Sequence, residues 1–170
     1  MDKKDVKDKA KTKRKRAKVL HGLKSKDVIE LLEALEGIRL DFDHLYYYEQ
    51  TGLIIPSVRK GQGRGVPKLY SVEDFIILRW LASLQKHGIS VQRFRSVVEF
   101  LKVKMPDVVN KPQNWVLITD GSSIQFFDKV SEQALDVLKD TGQYLFVFPV
   151  GKVAKQSEEA IKRLGITGPR

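Results

Sequence analysis

The feature that most constrains this 170-residue chain is a pair of short apolar patterns set four residues apart. Val28, Leu31, Leu32 and Leu35 fall at i, i+3, i+4 and i+7, which puts them on one face of a helix ending near Gly37. Asp41 then offers an N-cap for a second helix that carries Phe42, Leu45 and Tyr48 and closes at Gly52. Between them lies only Gly37-Ile38-Arg39-Leu40. Two short helices joined by so brief a Gly-containing turn match the helix-turn-helix pattern, whose second helix can enter a DNA major groove. Many all-α cores contain such pairs, so spacing alone does not assign a function.

The next stretch narrows the choice. Ile54 and Ile55, then Arg59-Lys60-Gly61-Gln62-Gly63-Arg64-Gly65-Val66-Pro67-Lys68, then Leu69 and Tyr70 read as two extended segments around a glycine-rich loop, the pattern of a β wing. The loop has four basic residues and no acid, and its glycines permit a tight hairpin and close approach to a phosphate backbone. No Gly-Lys-Ser/Thr follows at the spacing of a nucleotide-binding P-loop.

Ser71, with Asp74 three residues on, opens a third helix that is apolar nearly all round from Phe75 to Leu84, as a central buried helix must be, and Gly88 ends it. Ser90 is read as the cap of a fourth helix, with Val91, Phe94, Val98 and Leu101 inward and Pro106 as its stop. Beyond a linker the pattern changes to β-like runs at 115–119 and 124–127 around Asp120-Gly121-Ser122-Ser123, then a helix from Ser131 to Gly142. An apolar strand at 144–148, expected at the sheet centre, and a last helix from Val153 to Leu164 follow. The expected class is α+β: an N-terminal winged helix-turn-helix of four helices plus a small β wing, then a ββαβα module. The boundaries are a basic arm at 1–18, the first domain at 19–105, a linker at 106–112 and the module at 113–170.

Charge follows the same division. Residues 1–18 hold ten basic and three acidic residues, hence +7. Residues 19–104 hold thirteen and ten, hence +3, and 105–170 hold eight of each. The arm is too polar to order itself and reads as a mobile, salt-sensitive polyanion binder or as a solubilising tail. The absence of Cys excludes disulfides, thiolate metal sites and thiol nucleophiles. No apolar run approaches the roughly 20 residues of a membrane helix, and no secretory signal opens the chain, so a cytoplasmic, nucleoid-associated protein without membrane contact is expected. His21, His44 and His87 are scattered, and no nucleophile, base and orienting group cluster in sequence. Neither a metal, a cofactor nor an enzyme activity is expected.

One run is specific enough to name a family. Leu45-Tyr46-Tyr47-Tyr48-Glu49-Gln50-Thr51-Gly52-Leu53-Ile54-Ile55-Pro56, followed by Arg59, by Lys68-Leu69-Tyr70-Ser71-Val72-Glu73-Asp74 and by Leu84-Gln85-Lys86-His87-Gly88-Ile89-Ser90, resembles the MerR family of winged-helix transcription regulators over about residues 26 to 102. The resemblance implies a dimer on a pseudo-palindromic operator, with the second helix in the major groove and the wing on flanking phosphates. It places Tyr47 and Tyr48 at the family's paired tyrosines, Arg59 at the arginine after Pro and Tyr70 at the tyrosine that closes the wing. Two departures matter. The family's Thr-Leu-Arg is here His44-Leu45-Tyr46, which trades a cation for a ring, and its Gly-Tyr-Arg is Val66-Pro67-Lys68, which loses the bidentate fork of Arg. Arg64 and Lys60 are candidates to replace the lost phosphate contacts.

Adjacent helical residues cannot share a face, so Tyr48 is expected inward beside Leu45 and Tyr47 outward as a phosphate donor. Glu49 would repel DNA and is expected to pair with a basic neighbour. His44 suits a base contact or a solvated face equally, and Lys86 and His87 suit either a phosphate contact or a helix C-terminus. The expected DNA-contacting set is Arg39, His44, Tyr46, Tyr47, Arg59, Lys60, Arg64, Lys68 and Tyr70. The family's long dimerising coiled coil is not found, which leaves the ββαβα module to make a homodimer, bind a small-molecule effector or stabilise the fold. The rival to a regulator is an architectural or excisionase-like protein that bends double-stranded DNA without an effector.

Overall fold

The fold was taken from a computed structural model, which describes residues 22–61, 63, 65–110, 115–120, 123–127 and 145–165. Helix α1 (Ser25–Glu36) forms over the first apolar pattern and buries Val28, Leu31 and Leu32. It stops at Gly37, whose φ of 62° is open to glycine at little cost. Helix α2 (Phe42–Gln50) starts at Asp41, whose carboxylate accepts the His44 amide at 2.9 Å. Only Leu45 and Tyr48 are buried on it.

The chain then leaves α2 through Gly52 and buries Leu53 and Ile54. The pairing expected of Ile54 and Ile55 is made instead by Arg59, which exchanges both backbone hydrogen bonds with Leu69 at 3.0 and 2.8 Å. Tyr70 does the same with Leu23, at 2.8 and 2.9 Å. Three short extended stretches thus close the basic loop at its base and tie it to the segment before α1.

Helix α3 (Val72–Lys86) is the centre of the molecule, with Phe75 through Ala82 and Leu84 all buried. Ser71 and Asp74 form a reciprocal capping box at 3.1 and 3.0 Å. A short 3-10 turn (Val91–Phe94) leads into α4 (Arg95–Asn110); Ser90 makes no side-chain cap bond. Pro106 does not end α4. The ring forfeits one N–H, but Met105 and Val108 are fully buried on either side of it, and that burial carries the helix on. Residues 106–110 of the expected linker are therefore helix.

β1 (Val116–Thr119), β2 (Ile124–Phe127) and β3 (Phe146–Phe148) make an antiparallel sheet of order β2-β1-β3, with Leu117 opposite both Phe126 and Phe148. Among the described residues the central strand is β1, buried along its whole length, and β3 lies at the edge, contrary to expectation. A four-residue strand buried throughout fits the centre better than a three-residue strand with exposed Val147. The helix expected from Ser131 to Gly142 lies outside the described residues, as does the arm. Helix α5 (Val150–Arg163) buries Val150, Val153, Ala154, Ser157 and Ile161 along one stripe, while Leu164 is exposed.

One apolar cluster runs through both halves. Leu117, Val150, Val153, Ala154 and Ile161 join the core built around α3 and α4. Rings stitch the join: Trp80 meets Phe148 at 5.8 Å, Phe94 meets Phe146 at 5.3 Å, and Phe100 meets Phe126 at 5.5 Å. At the same place Arg79 is buried. It donates to Glu36 of α1, to the Val153 carbonyl at 3.1 Å and to the Ser157 hydroxyl at 2.8 Å. A lone buried guanidinium would be costly, and these three acceptors, with the Gln156 side-chain carbonyl at 3.4 Å, offset that cost.

Candidate nucleic-acid interface

With Leu45 and Tyr48 turned inward, α2 presents Phe42, Asp43, Tyr46, Tyr47 and Gln50 to solvent. Tyr48 is 1% exposed and Tyr47 45%, the division expected from their adjacency. The Tyr48 hydroxyl donates to Gln85 of α3 at 2.5 Å, and burial pushes its phenol up to about 12. It stays a neutral donor and fixes the roll of α2 on the core. Phe42 departs from expectation: it is 61% exposed rather than part of the buried face.

Glu49 organises the junction between α2 and the basic loop. It accepts from Lys68 and from the Tyr70 hydroxyl, as expected of a scaffold carboxylate. This corrects the expectation for Tyr70, which is fully buried with its hydroxyl spent on Glu49 and has no surface for a phosphate. Desolvation, then the bond to Glu49, raises its pKa. Lys68 is shared: bonded to Glu49, its Nζ also lies 5.7 Å from the centroid of the Tyr46 ring. Arg59 donates through Nε to the Pro67 carbonyl at 2.9 Å, so its guanidinium closes the loop across its own base. Lys60 is exposed and lines an open groove of about 800 Å³ with Ile55, Asp74 and Lys102. Arg64 lies outside the described residues.

Two expected contacts sit at the other end of α2. Arg39 is 90% exposed, and its Nε donates to Glu33 at 2.9 Å. His44 holds Asp41 through Nδ1 at 2.7 Å. Both line a cleft of about 250 Å³ with Lys86, whose Nζ donates at 3.0 Å to the Glu36 carbonyl at the end of α1. Lys86 thus caps a helix. The paired bonds from the amide and ring of His44 hold the Asp41 carboxyl below its usual range.

One further group at this surface lies outside the expected set. Arg95, at the start of α4, donates to the Thr51 carbonyl at 2.7 Å and to Gln92 at 2.9 Å, and Gln92 in turn donates to the Tyr47 hydroxyl at 2.9 Å. A cation and an amide from a distant element are therefore fixed against the C-terminal end of α2. Their i, i+3 spacing was visible, but nothing local linked them to Tyr47. Among the described residues no cluster of His, Cys, Asp or Glu is arranged for a metal, and no helix is long and apolar enough to cross a membrane.

The chain is similar to curated proteins described as uncharacterised HTH-type transcriptional regulators, one from Mycobacterium bovis and two from strains of Mycobacterium tuberculosis. Each is 28% identical over 117 residues, 69% of this chain and 50% of the relative. The chain thus spans about half the length of the curated relatives it matches. No family model matches it. The likeness is to helix-turn-helix regulators as a class and does not single out the family that the tyrosine run resembles.

Proposed function

We propose that this chain is a DNA-binding transcription regulator of the winged helix-turn-helix kind, with α2 as the recognition helix and the loop from Arg59 to Lys68 as a wing on the flanking phosphates. The observation that carries this reading is the clamp of Glu49 on Lys68 and Tyr70, which holds a basic loop against a helix whose outer face is free to enter a groove. The likeness to regulators supports it. Arg39, Lys60, Arg64 and Arg95 are assigned to phosphates, His44, Tyr46 and Tyr47 to the groove and its edge, and Arg59, Lys68 and Tyr70 to shaping the wing. The protein acts in the cytoplasm on the nucleoid, and its arm, residues 1–18, adds affinity for any duplex.

The proposed oligomer is a homodimer. The apolar face of α5 is buried on its own chain, so the edge of β3, which no other described strand pairs, is the better element for self-association, and an effector is an alternative role for the module. A second reading, an architectural DNA-bending protein, is favoured by α4, whose sixteen residues fall short of the long dimerising helix that the MerR resemblance implies. Selection of duplexes from a random library, followed by isotherms on the selected and scrambled sequences, tests the proposal. A selected sequence bound far more tightly than its scramble is expected; equal affinities would leave only the architectural reading.

A further inference from the structure

The outer face of α2 has a composition that phosphate contact does not explain. Phe42, Asp43, Tyr46, Tyr47 and Gln50 contain no cation, and Phe42 and Tyr46, four residues apart, set two rings in one stripe at 61% and 57% exposure. The cations lie at the rim. Arg39 precedes the N-cap, Lys68 lies over the Tyr46 ring, and Arg95 holds the Thr51 carbonyl at the far end. Such a surface meets a polyanion with charge at its edges and aromatic carbon at its centre, where the base edges lie. In the major groove the guanine edge is met by Arg or Lys, whereas the thymine edge offers a C5-methyl and the cytosine edge an amino donor. Phe42 stands at the first helical position, the end from which recognition helices reach bases.

We infer that Phe42, backed by Tyr46, reads the C5-methyl of a thymine in the major groove, and that Asp43 beside it accepts a hydrogen bond from a cytosine amino group. The inference rests on α2 entering the groove as proposed above, and it names the half-site chemistry: a pyrimidine step under the N-terminal turn of α2.

The test uses the full chain and a duplex selected from a random library. Each half-site thymine is replaced in turn by deoxyuridine, which lacks only the methyl, and isotherms are measured for the native chain, Phe42→Ala and Asp43→Asn. At one position the loss of the methyl is expected to weaken native binding about fourfold, the weight of one buried methyl, and to cost Phe42→Ala nothing. Asp43→Asn is expected to keep the deoxyuridine penalty and lose the preference for cytosine at the neighbouring position. Equal binding of thymine and uracil duplexes at every position, or an undiminished penalty in Phe42→Ala, would overturn the inference. A library that returns no preferred sequence would overturn the groove reading itself, and this inference with it. Phe42 is largely exposed, so its truncation leaves the core intact; circular dichroism of the variant checks this.

Discussion

At the scale of single residues, two carboxylates act in opposite senses. Asp41 is held below its usual range by the His44 amide and ring, so its ionised form favours the folded state. That contribution is present above the reference value of 3.8 and is lost as pH falls through the lower folded value. An Asp41→Ser variant caps without charge; its melting temperature is expected to lie below the native one near neutrality and to converge on it in acid. Asp74 runs the other way, because burial raises its pKa although the Ser57 and Ser71 amides partly offset this. Its contribution diminishes as pH rises. Glu49 is the third case. Glu49→Ala strands the buried Tyr70 hydroxyl, and a loss of about 1–3 kcal/mol is expected in denaturant titration. The same variant frees Lys68 and is expected to weaken duplex binding by more than its stability loss explains.

At the scale of elements, the basic loop depends on its geometry as well as its charge. Gly61 has a φ of +74°, and a Cβ there would lie 2.9 Å from the Lys68 Cγ and 3.2 Å from the Val66 carbonyl. Gly61→Ala is expected to lower both the melting temperature and duplex affinity, read by calorimetry and by isotherm. A variant with full affinity would show that the loop takes no part. The elements also show what could be read from the sequence. α1, the start of α2 and the capping box of α3 are local patterns, and all three form as the residues indicate. The exposed Phe42 was legible in principle: six residues separate it from Tyr48, which at 3.6 residues per turn is about 120° away around the helix. Pro106 misled because a lost N–H is visible in sequence, while the burial of Met105 and Val108 that offsets it is not. The place of β3 at the sheet edge depends on pairings between distant residues, which an apolar run of five cannot reveal.

At the scale of the whole molecule, the two halves share one core, and Arg79 is the polar node within it. It joins Glu36 at the end of α1 to Val153 and Ser157 of α5. An Arg inside an otherwise apolar run was a signal that a buried acceptor had to exist, but Glu36 lies 43 residues away and Ser157 78. Arg79→Ala leaves Glu36 unpaired, while Ser157 still donates to the Val153 carbonyl at 2.8 Å; with Glu36 partly exposed, a loss of about 3 kcal/mol is expected from chemical unfolding. The site is legible to a similar degree: the division of Tyr47 from Tyr48 and the pairing of Glu49 follow from the sequence, whereas Gln92 and Arg95 reach α2 only through tertiary packing.

On the proposed reading, affinity and specificity reside in different parts of this surface, the basic loop supplying the first and the outer face of α2 the second. Isotherms for selected and scrambled duplexes across a salt series, with the native chain, Lys60→Ala and Tyr46→Ala, test it most directly. Lys60→Ala is expected to weaken both duplexes alike and to lower the salt slope by about one. Tyr46→Ala is expected to weaken only the selected duplex and to leave the slope unchanged. A native chain that binds both duplexes equally, or a Tyr46→Ala variant that loses both alike, would rule out this division of roles.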